Sequence, residues 1–181
     1  MDNIFLKKES HSDFKWENLG DVDAGRKNLG GEMPVVVYRL MQYTMLDVLT
    51  KEYGLEKANE FFRKAGGLAG REFAKNTLDL KQDFDGFVSQ LQDTLKKLKI
   101  GVLRFEAFNA KTGAFTLTVG EDLDCSGLPV TNENVCTYDE GFIAGILKAY
   151  TGNDYYVREV DCWASGDRVC RFKGNVSRDK E

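Results

Sequence analysis

From Pro34 onward the apolar residues recur at helical spacing. Val37, Leu40, Met41, Leu46 and Leu49 follow the 3.6-residue period, and Gly54 offers a stop. The same period predicts a second helix over residues 56–75, with Phe61, Phe62, Leu68 and Phe73 among its apolar positions. A third is predicted over residues 84–97, with Phe87, Val88, Leu91 and Leu95 along one stripe. The period then shortens to two. Residues 100–108 and 115–119 read as strands joined by a turn at 110–113. Residues 122–134 read as a loop and 136–150 as a fourth helix. Residues 155–163 and 169–172 read as a second hairpin around Gly166. Residues 1–33 are polar and glycine-rich, with Phe14, Trp16 and Leu19 as scattered anchors, and are predicted as strand or irregular chain. Helices first, then strands with one inserted helix, predict an α+β fold: N-terminal helices packed on an antiparallel sheet.

Composition narrows the classes. A chain of 181 residues suits a single domain spanning 1–181 and is long enough to bury a core without disulfides. The net charge of −4 excludes a general nucleic-acid surface. No apolar run approaches the roughly 20 residues of a membrane span, and the first residues lack the apolar stretch of a signal peptide. A cytoplasmic location is therefore expected. The chain has one histidine, His11, so any Ser-His or Cys-His catalysis would rest on it. There is no evident nucleotide-binding loop.

Small residues repeat at a spacing of four in Gly66/Gly70 and Gly141/Gly145. Such pairs admit either a close-packed neighbour or a ligand. Phe73, Phe87, Phe105 and Phe115 correspondingly read as core or as the lining of an apolar pocket between helices and sheet. Glu121, Asp122 and Asp124 read as a surface loop, and Lys96, Lys97 and Lys99 as a solvated helix end.

All four cysteines fall after residue 124. In a reducing compartment they favour metal binding or free thiols. With Gly166 at the centre of the second hairpin, Cys162 faces Cys170, with Cβ atoms about 4.5–5.5 Å apart. Glu159 would point to the other face of a straight strand, so a shared ligand set needs a bulge near Val160. Cys136 opens the fourth helix, where the helix dipole favours a thiolate. Three thiolates and a carboxylate close a tetrahedral zinc site with no open position. A Cys162–Cys170 disulfide and simple buried thiols are the alternatives.

The run from Cys136 through Gly141 to Gly145, then Glu159 and Cys162, then Gly166, Cys170 and Phe172, resembles the 4-vinyl reductase domain. That domain also forms the sensory module of phenol-responsive transcription activators. Its fold is related to trafficking-complex (TRAPP) subunits and to haem-based nitric-oxide-binding domains. The motif region covers about residues 115–173. The resemblance implies zinc on Cys136, Glu159, Cys162 and Cys170, clamping the C-terminal helix to the hairpin in a TRAPP-subunit-like fold. Further upstream, Gly20 to Asp23, Gly25 with Arg26, and Tyr38-Arg39-Leu40 resemble the accompanying helical half. The phenol sensors hold their ligand with a histidine and a tryptophan upstream of the first zinc cysteine. His11 and Trp16 lie far from that stretch and Trp163 lies beyond it, which points away from phenol itself. Cys125 is left as a possible extra thiol: a replacement ligand, a redox partner or a buried loop residue. The resemblance thus implies a homodimeric, zinc-stabilised, non-catalytic domain that binds an apolar or aromatic small molecule, such as a hydrocarbon. The alternatives are a reductase-like enzyme of tetrapyrrole or vinyl-group metabolism and a dimeric protein-interaction module.

Overall fold

The computed structural model describes residues 14–177. It divides into a short N-terminal unit ending at Gly31 and a main unit from Glu32. In the short unit, Trp16–Leu19 makes a 3-10 turn and α1, Val22–Gly25, a single helical turn. Asp21 caps α1, its Oδ1 accepting the Ala24 N–H at 2.9 Å. The strand expected over residues 1–33 is not present in the described residues 14–33. Gly20 and Gly30 sit at φ of 72° and 67° and break any extended run. The remainder of that expectation, and His11, lie outside the described residues.

The main unit begins with α2, Val35–Tyr53, α3, Leu55–Thr77, and α4, Phe84–Lys97. Pro34 precedes the first turn of α2 with φ −62°, where a missing N–H does no harm. Gly54 at φ 82° ends α2 and turns the chain into α3. Asp83 caps α4 by accepting the Gly86 N–H, and Lys96 and Lys97 occupy its last turn, as the helix dipole favours. The remaining elements are β1, Val102–Phe108, β2, Phe115–Gly120, α5, Thr137–Thr151, β3, Tyr155–Asp161, and β4, Cys170–Val176. The strands form one antiparallel sheet in the order β1-β2-β4-β3. The expected α+β architecture is therefore present. The register of β3 against β4 slips between Glu159 and Asp161, which is the bulge that a common Glu159–Cys162 site required.

The core contains Phe87, Leu117, Leu147 and Phe172, each all but inaccessible to solvent. Helix α3 crosses α5 at the repeated glycines. A Cβ on Gly66 would strike the Tyr138 carbonyl, one on Gly70 the Phe142 carbonyl, and one on Gly141 the Arg63 carbonyl. These glycines therefore serve backbone-to-backbone packing and leave no room for a ligand. Helix α2 behaves differently. Its one buried residue is Gln42, whereas Val36, Leu40, Met41 and Val48 are more than half exposed.

Candidate metal centre

The bulge at Val160 returns Cys162 to the level of Cys170 across β3 and β4. Cys136 ends the preceding loop and caps α5. Cys125 comes from the loop after β2, where Asp122 Oδ1 accepts the N–H groups of Asp124 at 2.8 Å and Cys125 at 3.3 Å. This local turn presents the Cys125 thiol inward. The four sulfurs lie within 4.8 Å of one another, and all four cysteines are buried. Sγ of Cys136 is 3.8 Å from both Cys162 and Cys170, and Cys125 Sγ is 3.0 Å from Cys170. These are not disulfide distances, which are about 2.05 Å, and all four cysteines are free.

The donor set fits one small thiophilic ion. A zinc–sulfur bond of about 2.3 Å makes the edge of a tetrahedral sulfur shell about 3.8 Å, matching the two longer separations. Electrostatics agree. Hydrogen bonds from the neighbouring thiols, that of Cys125 first, push Cys136 and Cys170 up and hold Cys162 low. Without a cation the cluster accommodates one thiolate; a cation among them stabilises all four.

Of the residues expected to ligate, Cys136, Cys162 and Cys170 come together, and Cys125 joins them. Glu159 lies alongside. Its Oε2 accepts the Cys136 N–H at 3.0 Å, fixing the start of α5, and its Oε1 is buried with no partner. Burial and the nearby Cys162 charge push the Glu159 carboxyl up to about 8. Glu140, which no spacing argument singled out, holds the surrounding elements together. Its Oε2 accepts from Arg63 Nε of α3 at 2.8 Å and Arg158 Nη1 of β3 at 2.7 Å, and its Oε1 accepts the Glu159 N–H. The candidate signal was an acidic residue in the first turn of a glycine-bearing helix.

The surface-loop reading of Asp122 and Asp124 is corrected: both are buried. Asp124 receives Tyr38 Oη on Oδ1 at 2.8 Å and Gln42 Nε2 on Oδ2 at 2.7 Å, while Tyr43 Oη donates to its carbonyl. Arg39 donates to the carbonyls of Leu123 and Ser126. Burial, then the neighbouring Asp124, raises Asp122 to about 7, and burial drives Asp139 well up. Helix α2 is thus anchored by polar contacts to the loop that carries Cys125.

The four phenylalanines do not gather around one cavity. Phe73 packs on Phe142 and Phe87 stacks on Tyr150, with centroids 5.2 and 3.9 Å apart. Phe105 lies between Phe84 and Phe115, and Phe115 meets Tyr155. Phe105 alone of the four borders the interior cavity between α4, α5 and the sheet, a space of about 30 Å³. A larger groove of about 210 Å³ lies between α2 and α3.

Fold and site together define a helical layer on a four-stranded antiparallel sheet, with a cysteine cluster at the base of its last helix and hairpin. Residues 115–175 match the 4-vinyl reductase domain. Two uncharacterized proteins of Methanocaldococcus jannaschii are 24% and 26% identical to the chain, over 86% and 95% of it and 85% and 91% of their own lengths. The phenol-responsive sensory domain of the transcription activator PoxR, solved with phenol, has the same fold. Its TM-score is 0.62 at 16% identity, covering 82% of this chain and 78% of that one. A trafficking protein particle complex subunit 3 from Naegleria fowleri, covalently bound to palmitic acid, superposes with a TM-score of 0.62 at 11% identity. It covers 80% of this chain and 95% of that one. The resemblance read from the sequence and the TRAPP-like fold are borne out. Among the described residues no helix is long and apolar enough to cross a membrane.

Proposed function

We propose that this protein is a zinc-stabilised, non-catalytic sensory domain for a small apolar or aromatic molecule. The observation that carries the metal is the cluster of four buried sulfurs within 4.8 Å. The match to the 4-vinyl reductase domain and the likeness to a sensory domain solved with phenol support the ligand class. Cys136, Cys162 and Cys170 supply three thiolates and Cys125 the fourth. Glu159 stands beside them, holding the Cys136 backbone, and is the oxygen donor that would replace Cys125 in a mixed site. When bound, zinc supplies a fixed dication that joins the loop after β2, the start of α5 and the β3–β4 hairpin. A closed four-thiolate shell leaves no position for substrate water, which favours a structural role. The thiols stay available for metal in the cytoplasm, where we place the protein.

The exposed apolar residues of α2, among them Val36 and Leu40, favour burial against a second copy, so we read the protein as a homodimer. The metal reading is tested on protein purified from cells and then reloaded with cobalt. We expect about one zinc per chain and an intense thiolate-to-cobalt band. Cys125→Ser should weaken that band, and Glu159→Gln should leave it in place. The converse pattern would assign the fourth position to Glu159, and metal-free protein with four alkylatable thiols would overturn the centre.

A further inference from the structure

The groove between α2 and α3 contains a polar atom with no assigned task. Met41, Met45 and Leu49 of α2 face Phe61 and Phe62 of α3, with Tyr138 of α5 at the side. Gln42 lies among these residues and is 8% exposed. Its Nε2 donates to Asp124 Oδ2, which orients the amide because the carboxylate oxygen is the acceptor. Its Oε1 is then buried with no partner. Buried amide carbonyls are almost always hydrogen-bonded, so one left unpaired in an apolar groove is suited to accept from a guest's donor.

Size selects the kind of donor. An apolar cavity of about 150 Å³ holds a benzene ring. The interior cavity, about 30 Å³, is far too small for one, whereas the α2–α3 groove, about 210 Å³, has room for a ring and a substituent. Methionine walls adapt to such a guest because their side chains are unbranched and polarizable. The far end of the Gln42 amide rests on Asp124, next to Cys125, so a molecule held by Gln42 touches the polar contacts that anchor α2.

We propose that the α2–α3 groove binds a compact aromatic molecule bearing a hydroxyl, whose hydrogen Gln42 Oε1 accepts. This rests on the small-molecule reading above and gives it a place and a chemistry. Titration of the zinc-loaded full chain with phenol and with its isostere fluorobenzene tests it, read on the methyl resonances of Met41 and Met45. Both methyls should shift saturably, and phenol should bind about tenfold more tightly than fluorobenzene. Gln42→Leu should erase that preference. Ala65→Phe, at an exposed position bordering the groove, should block both probes and leave the amide untouched. Equal affinities in the unaltered protein, or binding that survives Ala65→Phe, would overturn the site. Shifts confined to Ile146 and Leu147 at the interior cavity would overturn the groove while leaving the small-molecule reading intact. No shift anywhere, with either probe, would overturn both.

Discussion

Cys136, Cys162 and Cys170 are almost wholly inaccessible, whereas the comparably apolar α2 leaves Val36, Leu40, Met41 and Val48 more than half exposed. Both regions carry strong sequence patterns. In the α5–hairpin region the pattern is satisfied inside the chain: sulfurs converge, Glu140 joins three elements, and glycines let α3 and α5 touch backbone to backbone. In α2 it is inverted. The helix is held through Tyr38, Arg39, Gln42 and Tyr43, and its apolar stripe faces outward. Periodicity therefore announces that an apolar face exists, not which partner covers it.

The comparison is broken most severely by removing the metal or replacing Cys162 with Ser. Structural zinc contributes roughly 10 kcal/mol or more in zinc-finger peptides. We expect loss of the bound zinc and a chain that no longer unfolds cooperatively on heating, read by metal analysis and near-ultraviolet circular dichroism.

A smaller effect separates the two anchoring styles. Glu140→Gln leaves Arg63 and Arg158 without their buried counter-charge and should cost about 3 kcal/mol. That corresponds to roughly 6–12 °C in Tm for a chain of this size. Tyr38→Phe removes one hydrogen bond from α2 and should cost about 1 kcal/mol, with faster amide exchange in α2 alone. Equal losses from the two substitutions would erase the distinction between the regions. Leu40→Glu should leave chemical denaturation unchanged within about 0.5 kcal/mol, yet shift the mass measured by light scattering from dimer to monomer.

The finest test is one of sign. Burial holds Asp122 near 7 and Glu159 near 8, above ordinary values of 3.8 and 4.5. Each carboxyl keeps a proton in the folded chain that the unfolded chain has released, so these groups stabilise most at low pH. The metal-free protein should lose stability as pH rises from about 5 to about 8. The loaded protein should show the opposite slope, because protons displace metal from thiolates on acidification. Thermal unfolding across that range, with and without chelator, should give two lines of opposite slope.

Much of the fold was legible because local rules acted alone. The Asp83 cap and the lysines of the last turn bounded α4 at Phe84 and Lys97, where the apolar period placed them. The required bulge near Val160 followed from the pleat and from the demand that Glu159 and Cys162 serve one site. The role of Cys125 was not legible. Its position depends on a turn made by Asp122, and its partners lie 45 residues or fewer downstream on separate elements. Asp122 and Asp124 were misread as surface because charge and loop context normally mean solvent. Here hydrogen bonds from Tyr38, Gln42 and neighbouring backbone N–H groups compensate their burial.

By itself the sequence determined the order and kind of elements and the presence of a cysteine-centred C-terminal third. Helical and strand periods, caps and glycine turns are local properties. Tertiary structure decided which sulfurs meet, which carboxylates are buried, that the repeated glycines bring α3 against α5, and which face of α2 stays open. These outcomes depend on contacts between residues far apart in the chain, where geometry and desolvation, rather than spacing, set the energy.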